Sequence, residues 1–368
     1  MHVDDDREVM MKRLAYWCSI VLVTVLFSNY AYADESLPPS LGSTDILSAG
    51  DHAAVLVDRT AGKVLLADLQ ANKFTSLSDD ASPVLDVEVV KQPEKIVLLK
   101  KTNRNTISKT VFSYKGAILS KTTIPLNLKD GDKIKWVAPA GKANERIMLQ
   151  RLNDFNLYQY PWKKPSVSYD AKVVDNGWES VSVLDWDFQG YPYLAIKYMA
   201  SGIMNQVYFA KAVNLYTKKE ALFKDFNTNF NLEIGGGNAL LFTSNVYESV
   251  YQPFPPNVLR PKSTEIQPYY QIINADKGIK SKVLEGVFAD KGDHSGWQTE
   301  LINNQLFVGD LAEHTWSLYS ANGSEIVTNQ AWPGNSESKF AGYNAAAGIG
   351  YFLEYHSGKA SITAYPVH

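Results

Sequence analysis

Three histidines in the C-terminal third have the clearest capacity for chemistry. His294 lies in the predicted loop entering the sixth of seven strand groups, His314 lies between strands two and three of that group, and His356 takes the equivalent place in the seventh. Imidazole titrates near neutral pH, and together with carboxylates it binds divalent metals or transfers protons. The nearby carboxylates are Asp290, Asp293, Asp310 and Glu313. The alternative is that exposed loops collect His and Asp residues that never converge.

An aromatic and proline-rich segment is the second candidate. Residues Asn245–Pro268 form a predicted loop that carries Tyr247, Tyr251 and Phe254 among five prolines. Loops of this length are uncommon unless they are functional or disordered. Prolines lower the entropy cost of presenting aromatic side chains to a partner. We expect either a binding loop beside the histidines or a loop that packs its aromatics on the domain.

Standard catalytic signatures are absent from the sequence. There is no Gly-x-Ser-x-Gly, His-Glu-x-x-His, Walker or Rossmann pattern, so no catalytic residue and no cofactor is predicted. The metal content stays unassigned. Asp185 and Asp187, two apart in a predicted strand, are expected to point the same way. Trp162, Trp332 and Tyr160 are candidates for stacking on sugar rings, with packing between strand groups as the alternative.

Charge and cysteine content exclude several classes. With 36 basic and 39 acidic residues the formal net charge is −3. The sequence has no cluster of basic residues of the kind that binds the phosphates of a nucleic acid, so a nucleic-acid partner is not predicted. The single cysteine is Cys18, in the N-terminal segment. A mature chain starting after that segment has no disulfide and no thiolate metal site.

Residues 1–33 predict a cleaved signal peptide. Lys12 and Arg13 precede an apolar run of about 14 residues, too short for the roughly 20 needed to span a bilayer. Ala31 and Ala33 fit a signal peptidase site, and we expect the true start at Met10 or Met11. The sequence therefore predicts a periplasmic or extracellular protein that does not span a membrane after processing.

The rest of the chain predicts an all-β fold. Residues 34–43 form an expected extended entry segment, and residues 44–368 contain short β-branched and aromatic runs separated by turns. The runs recur in groups of four at the spacing of propeller blades. Ala53–Asp58 and Lys63–Asp68 are predicted middle strands of the first group, and the last group, Lys339–Val367, supplies three strands. We predict one β-propeller of seven four-stranded blades, with six or eight blades, a large β-sandwich or two stacked barrels as alternatives.

This strand grouping resembles the bacterial secreted β-propeller superfamily, of WD40-like or TolB-like architecture. The resemblance covers the whole mature chain, but blade motifs do not recur: Trp186-Asp187 occurs once, and Gly235-Gly236-Gly237 is a single run. Architecture alone does not fix a function.

The prediction that follows is an exported, non-catalytic propeller that binds a protein or cell-envelope component through its loop-rich face, with glycan as a further ligand class. The alternative is an enzyme acting on a glycan or small molecule near groups five to seven, at the channel mouth.

Overall fold

The computed structural model shows seven β-sheets and no helix among the residues it describes. All of these residues belong to the unit Ser36–His368. For residues 222–302 the description concerns the backbone. The described ranges are 44–49, 51–78, 82–91, 93–137, 145–172, 180–188, 191–201, 206–226, 231–235, 238–246, 267–274, 278–283, 297–302, 305–310, 313–320, 324–332, 338–356 and 359–367.

The first four sheets each contain four strands. Sheet 1 comprises β1 Thr44–Ser48, β2 Ala53–Asp58, β3 Lys63–Asp68 and β4 Lys73–Ser76. Sheet 2 comprises β5 Val84–Lys91, β6 Glu94–Asn103, β7 Thr106–Phe112 and β8 Ile118–Pro125. Sheet 3 comprises β9 Lys133–Val137, β10 Arg146–Arg151, β11 Asp154–Gln159 and β12 Pro165–Asp170. Sheet 4 comprises β13 Ser180–Asp187, β14 Tyr193–Ser201, β15 Gln206–Asn214 and β16 Glu220–Phe226.

The remaining three sheets follow the same plan. Sheet 5 comprises β17 Asn231–Gly235, β18 Asn238–Val246, β19 Gln267–Asn274 and β20 Gly278–Val283. Sheet 6 comprises β21 Trp297–Ile302, β22 Gln305–Asp310, β23 Thr315–Ser320 and β24 Glu325–Ala331. Sheet 7 has three strands, β25 Lys339–Asn344, β26 Ile349–His356 and β27 Lys359–Pro366. Each strand pairs antiparallel with the next, as in a meander.

Burial explains the sequence of the middle strands. In β2 and β3 nearly every side chain is buried, because both faces of sheet 1 are covered by neighbouring sheets. A strand covered on both faces reads as a continuous apolar run, as in the Ala53–Asp58 and Lys63–Asp68 segments. In sheet 2 the middle strand β6 is largely buried, whereas the outer strand β8 is almost wholly exposed. Burial therefore decreases from the middle to the outer edge of that sheet.

Apolar clusters join each sheet to the next. Side chains of sheets 1 and 2 share one cluster, sheets 2 and 3 a second, and sheets 3 and 4 a third. Sheets 6 and 7 are joined by an aromatic cluster around Phe307, Trp316 and Phe352. For sheets 4 to 6 the backbone shows the connection, since β13 and β14 adjoin β17, and β18 adjoins β21.

Sheet 7 closes the arrangement against sheet 1. Leu353 and Tyr351 share a buried cluster with Leu56 and Leu65. The Ile362 N–H donates to Asn72 Oδ1 at 2.7 Å across the same boundary, and Lys339 Nζ donates to the Thr44 carbonyl at 3.2 Å. First strands of neighbouring sheets contact each other, β5 with β9 and β1 with β25, so they lie at the centre of a ring. The chain is an all-β protein with β-propeller architecture.

The meander gives the ring two distinct faces. We call the face where second strands end and third strands begin the loop face; connections between successive sheets also lie there, because alternate strand ends share a side. The opposite face, the turn face, carries the first-to-second and third-to-fourth connections. Its described third-to-fourth turns are residues 69–72, 113–117, 160–164 and 215–219.

The all-β, propeller fold predicted from the sequence is confirmed. The predicted strands Ala53–Asp58 and Lys63–Asp68 agree with β2 and β3, and the last sheet has the expected three strands. The number of blades in the whole chain stays a prediction, as do the signal peptide and the entry segment 34–43, which lie outside the described residues. No helix in the described part of the chain is long and apolar enough to cross a bilayer.

Candidate functional site

Like-charged pairs occupy the first strands of three successive sheets. Strand β5 carries Asp86 and Glu88, strand β9 carries Lys133 and Lys135, and strand β13 carries Asp185 and Asp187. In each pair the two residues are separated by one apolar residue, so both belong to the same side of the strand. The sign of the charge alternates from sheet to sheet. We call these six residues the inner-strand charge cluster.

Asp86 connects sheets 2 and 3. Its side chain is 5% exposed, and its Oδ2 accepts the backbone N–H of Trp136 at 2.7 Å. Trp136 belongs to β9, the first strand of sheet 3, whose outer backbone groups have no further strand to pair with on that side. The carboxylate therefore satisfies an edge amide that would otherwise be buried without a partner.

Two lysines connect sheets 3 and 4. Lys135 Nζ donates to Asp187 Oδ1 at 2.8 Å, and Lys133 Nζ donates to the Leu184 carbonyl at 2.7 Å. The register of β13 shifts between Val183 and Asp185, and the Leu184 carbonyl that binds Lys133 lies at this irregularity. Charge-assisted hydrogen bonds of this kind are stronger than neutral ones.

Burial dominates the titration of the two sheet 2 carboxyls. Burial raises the pKa of Asp86 to about 6, against the opposing effects of Lys135 and of the Trp136 N–H. Burial and the charge of Asp86 raise the pKa of Glu88 well above its ordinary value. For Lys135, burial lowers the pKa, but Asp187 and Asp86 outweigh it and the net shift is upward. Burial thus favours the protonated form of both sheet 2 carboxyls, whereas the neighbouring carboxylates favour the charged form of Lys135.

The sequence contained a signal for this cluster that our interpretation did not use. The strings Asp-Val-Glu, Lys-Ile-Lys and Asp-Trp-Asp fall in the first strands of successive groups. We predicted only that Asp185 and Asp187 point the same way, which fits the burial of Trp186 between them and the greater exposure of both aspartates. The alternation of sign becomes meaningful only once the three strands are known to be neighbours.

On the loop face the structure describes one predicted histidine fully. His314 is exposed and has a left-handed backbone, with φ of 54°. Its carbonyl accepts the Trp332 N–H at 2.6 Å, and the Asp310 carboxylate accepts the Glu313 N–H at 3.0 Å. Asp310 therefore shapes the turn that presents His314.

His356 is the last residue of β26 and so also lies at the loop face, in the sheet next to that of His314. Its side chain is outside the description. His294, Asp293, Tyr247, Tyr251 and Phe254 lie outside the described residues. Convergence of the three imidazoles stays a hypothesis, as does the alternative that these loop residues never converge. Within the described ranges, no group of three or more His, Cys, Asp and Glu side chains has the arrangement of a metal site.

Trp332 is a core residue rather than a surface one. Its side chain is 8% exposed and packs against Phe307 and Phe352 in the cluster between sheets 6 and 7. Gly309 makes room for it, since a Cβ there would come within 2.0 Å of the indole. For Trp332 the structure therefore agrees with packing between sheets and not with stacking on a sugar ring. Trp332 is not part of the binding surface proposed below. Trp162 is partly buried against the cluster of sheets 2 and 3, whereas Tyr160 is 71% exposed.

Comparison with known proteins identifies no family for this chain. No family model and no curated protein matches the sequence. Among solved structures, the chain is similar to a streptogramin B lyase, with 13% identity, 91% of this chain and 97% of that chain covered, and a TM-score of 0.45. It is also similar to the β-propeller domain of the Trilobed protease from Pyrococcus furiosus, with 12% identity, coverage of 87% and 94%, and a TM-score of 0.46.

A third similar structure is the β-propeller domain of Cps50 (Swd1) from Myceliophteria thermophila, with 8% identity, coverage of 91% and 99%, and a TM-score of 0.47. At these TM-scores the likenesses carry no argument about this chain. The order and closure of the sheets are what define this chain as a β-propeller.

Proposed function

We propose that this chain is an exported, non-catalytic scaffold that binds a protein of the cell envelope through its loop face. The observation that carries the proposal is the distribution of connection lengths. The two longest connections between described strands, residues 247–266 and 284–296, both start from sheet 5 and both have their anchors at the loop face. Long connections on a rigid frame are where binding residues concentrate.

The frame itself supports a binding role. Asp86, Lys133, Lys135 and Asp187 are engaged with groups of the adjacent sheet, at 2.7 to 2.8 Å. Such contacts hold neighbouring sheets in a fixed relation, which limits the ordering that a partner must impose when it binds.

A second candidate function is an enzyme acting on a glycan or a small molecule. It is favoured by the raised pKa of Asp86, about 6, and by the raised pKa of Glu88, since paired carboxyls of this kind serve in acid–base catalysis. The binding role is preferred because the Asp86 carboxylate is committed to the Trp136 N–H.

The experiment is affinity capture from the detergent-solubilised envelope of the source organism, using the purified mature chain. We expect one stoichiometric protein partner with the unmodified chain, and its loss with the triple variant Tyr247→Ala, Tyr251→Ala and Phe254→Ala. The control is the double variant Tyr160→Ala and Tyr216→Ala, which removes two exposed tyrosines of the turn face. Failure to recover a partner, or its loss with the control as well, would refute the proposal.

A further inference from the structure

A repeated pattern occupies the turn face of sheets 2, 3 and 4. The third-to-fourth turns read Ser-Tyr-Lys-Gly-Ala at 113–117, Tyr-Pro-Trp-Lys-Lys at 160–164 and Leu-Tyr-Thr-Lys-Lys at 215–219. Each turn combines a tyrosine with one or two lysines, and none contains a carboxylate. Because the three sheets are consecutive in the ring, the turns lie on neighbouring sheets at the same face. We call residues 113–119, 160–164 and 215–219 the lysine–tyrosine rim.

The rim exposes apolar as well as basic side chains. Tyr160 is 71% exposed and Tyr216 75%, while Ile118 and Leu119, which begin strand β8, are 62% and 58% exposed. Apart from Leu152 and Ile326, these are all the large hydrophobic side chains exposed in the described part of the chain. The five rim lysines, all exposed, are Lys115, Lys163, Lys164, Lys218 and Lys219.

Each turn of the rim is held by the body of the propeller. A Cβ at Gly116 would lie 3.0 Å from Thr75 Cγ2 of sheet 1, so this turn packs closely on its neighbour. Trp162 packs into the cluster between sheets 2 and 3. The Asn214 side chain accepts the N–H groups of Tyr216 and Thr217 at 3.0 and 3.1 Å. The exposed side chains are therefore presented from fixed backbones.

Two carboxylates near the rim, those of Glu220 and Glu145, are engaged with cations of the protein. Glu220, which follows the third turn, is 3.1 Å from Lys211 Nζ and accepts the Tyr169 hydroxyl at 2.6 Å. Glu145, at the adjacent first-to-second connection of sheet 3, is bonded to Lys109. Glu94 stands between Lys91 and Lys95 in the sequence. The rim thus keeps a positive excess.

We propose that the lysine–tyrosine rim docks on the surface of a bilayer containing anionic lipids. Lysines near such a surface are attracted to its negative potential, and tyrosine and aliphatic side chains gain by entering the headgroup and acyl boundary. An acidic polymer would satisfy the lysines but would leave Ile118 and Leu119 in water, so the aliphatic pair favours the bilayer. This surface lies on the face opposite to that of the proposed protein partner, and the inference does not depend on that partner.

The test is sedimentation of the purified mature chain with vesicles. One set is pure phosphatidylcholine, and the other contains about one-third phosphatidylglycerol, which supplies the anionic surface. We expect binding to the anionic vesicles, with affinity falling at least about tenfold when ionic strength rises from about 0.05 M to about 0.5 M, because salt screens the attraction. The variant Lys163→Gln, Lys164→Gln, Lys218→Gln and Lys219→Gln should lose this binding.

Two further variants separate the alternatives. Lys63→Gln, Arg104→Gln, Lys129→Gln and Lys172→Gln remove four exposed cations elsewhere on the chain with the same change in net charge, and should bind as the unmodified protein does. Ile118→Ser with Leu119→Ser should weaken vesicle binding about tenfold or more, since apolar burial is lost.

The proposal is overturned if the chain does not bind anionic vesicles, if the control variant loses binding equally, or if the Ile118 and Leu119 changes have no effect. Binding to soluble polyglutamate without binding to vesicles would overturn it as well.

Discussion

Asp86 lies between two sheets of the propeller, where its carboxylate accepts the Trp136 N–H at 2.7 Å. Burial raises the pKa of this carboxyl from 3.8 to about 6. At the scale of a single residue, the Asp86 carboxyl satisfies a backbone donor, while its burial disfavours the ionised form. Such a residue couples the stability of the fold to pH, since the pKa differs between the folded and the unfolded chain.

The Asp86→Asn variant tests this coupling. Because the folded pKa of Asp86 lies above 3.8, the folded chain binds more protons between pH of about 4 and about 6, and its stability falls as pH rises through that window. Asparagine keeps an acceptor for the Trp136 N–H but does not titrate. The free energy of unfolding of the variant, relative to the unmodified protein, should rise by about 2 kcal/mol from pH of about 4 to about 7.

Denaturant titrations at several pH values measure this difference. Glu88 titrates in both proteins, and its pKa depends in part on the charge of Asp86, so the difference between the curves reports the titration of the coupled Asp86–Glu88 pair. Parallel stability curves for the two proteins would show that Asp86 is not buried as described.

At the scale of the element, the first strands β5, β9 and β13 carry charges whose sign alternates from sheet to sheet. Lys135 and Asp187 join two first strands, with side chains 32% and 15% exposed. Arg59 and Asp45 form a comparable pair at 2.9 Å but are 49% and 54% exposed. Since exposed pairs are screened by water and salt, the two pairs should differ in their contribution to stability.

Double-mutant cycles on the two pairs measure that difference. For Lys135→Met with Asp187→Asn we expect a coupling energy of about 1 kcal/mol or more, because the pair is partly buried and well aligned. For Arg59→Met with Asp45→Asn we expect about 0.5 kcal/mol or less. Equal coupling energies in the two cycles would contradict the role assigned to the inner-strand charge cluster.

The sequence predicts the strands of this chain better than it predicts which residues those strands contact. Ala53–Asp58 and Lys63–Asp68 were predicted correctly because burial on both faces leaves an unbroken apolar run between turn residues. The contact of Asp86 with Trp136 could not be predicted, since it joins residues 50 positions apart in the chain. Trp332 was a candidate for binding, with packing as the alternative, because residue type does not reveal burial; the space that Gly309 leaves for its ring is a property of packing.

At the scale of the whole molecule, closure of the ring defines the two faces. Short turns hold the lysine–tyrosine rim on one face, and the two long connections of sheet 5 start from the other. Grouping of strands in fours indicated this arrangement, because each group needs neighbours on both sides to bury its faces. The chemistry of the rim was not predicted, since its tyrosines and lysines are ordinary turn and surface residues until the sheets are placed side by side.

Hydrogen exchange of the variant Leu353→Ala tests ring closure most directly. Leu353 is fully buried in the cluster shared by sheets 7 and 1, and its truncation should cost about 3 kcal/mol. Measured by mass spectrometry, exchange should accelerate in β2 and β3 of sheet 1 as well as in sheet 7, with a smaller change in the distant sheet 3. Faster exchange confined to sheets 6 and 7, with β2 and β3 unchanged, would contradict a closed ring.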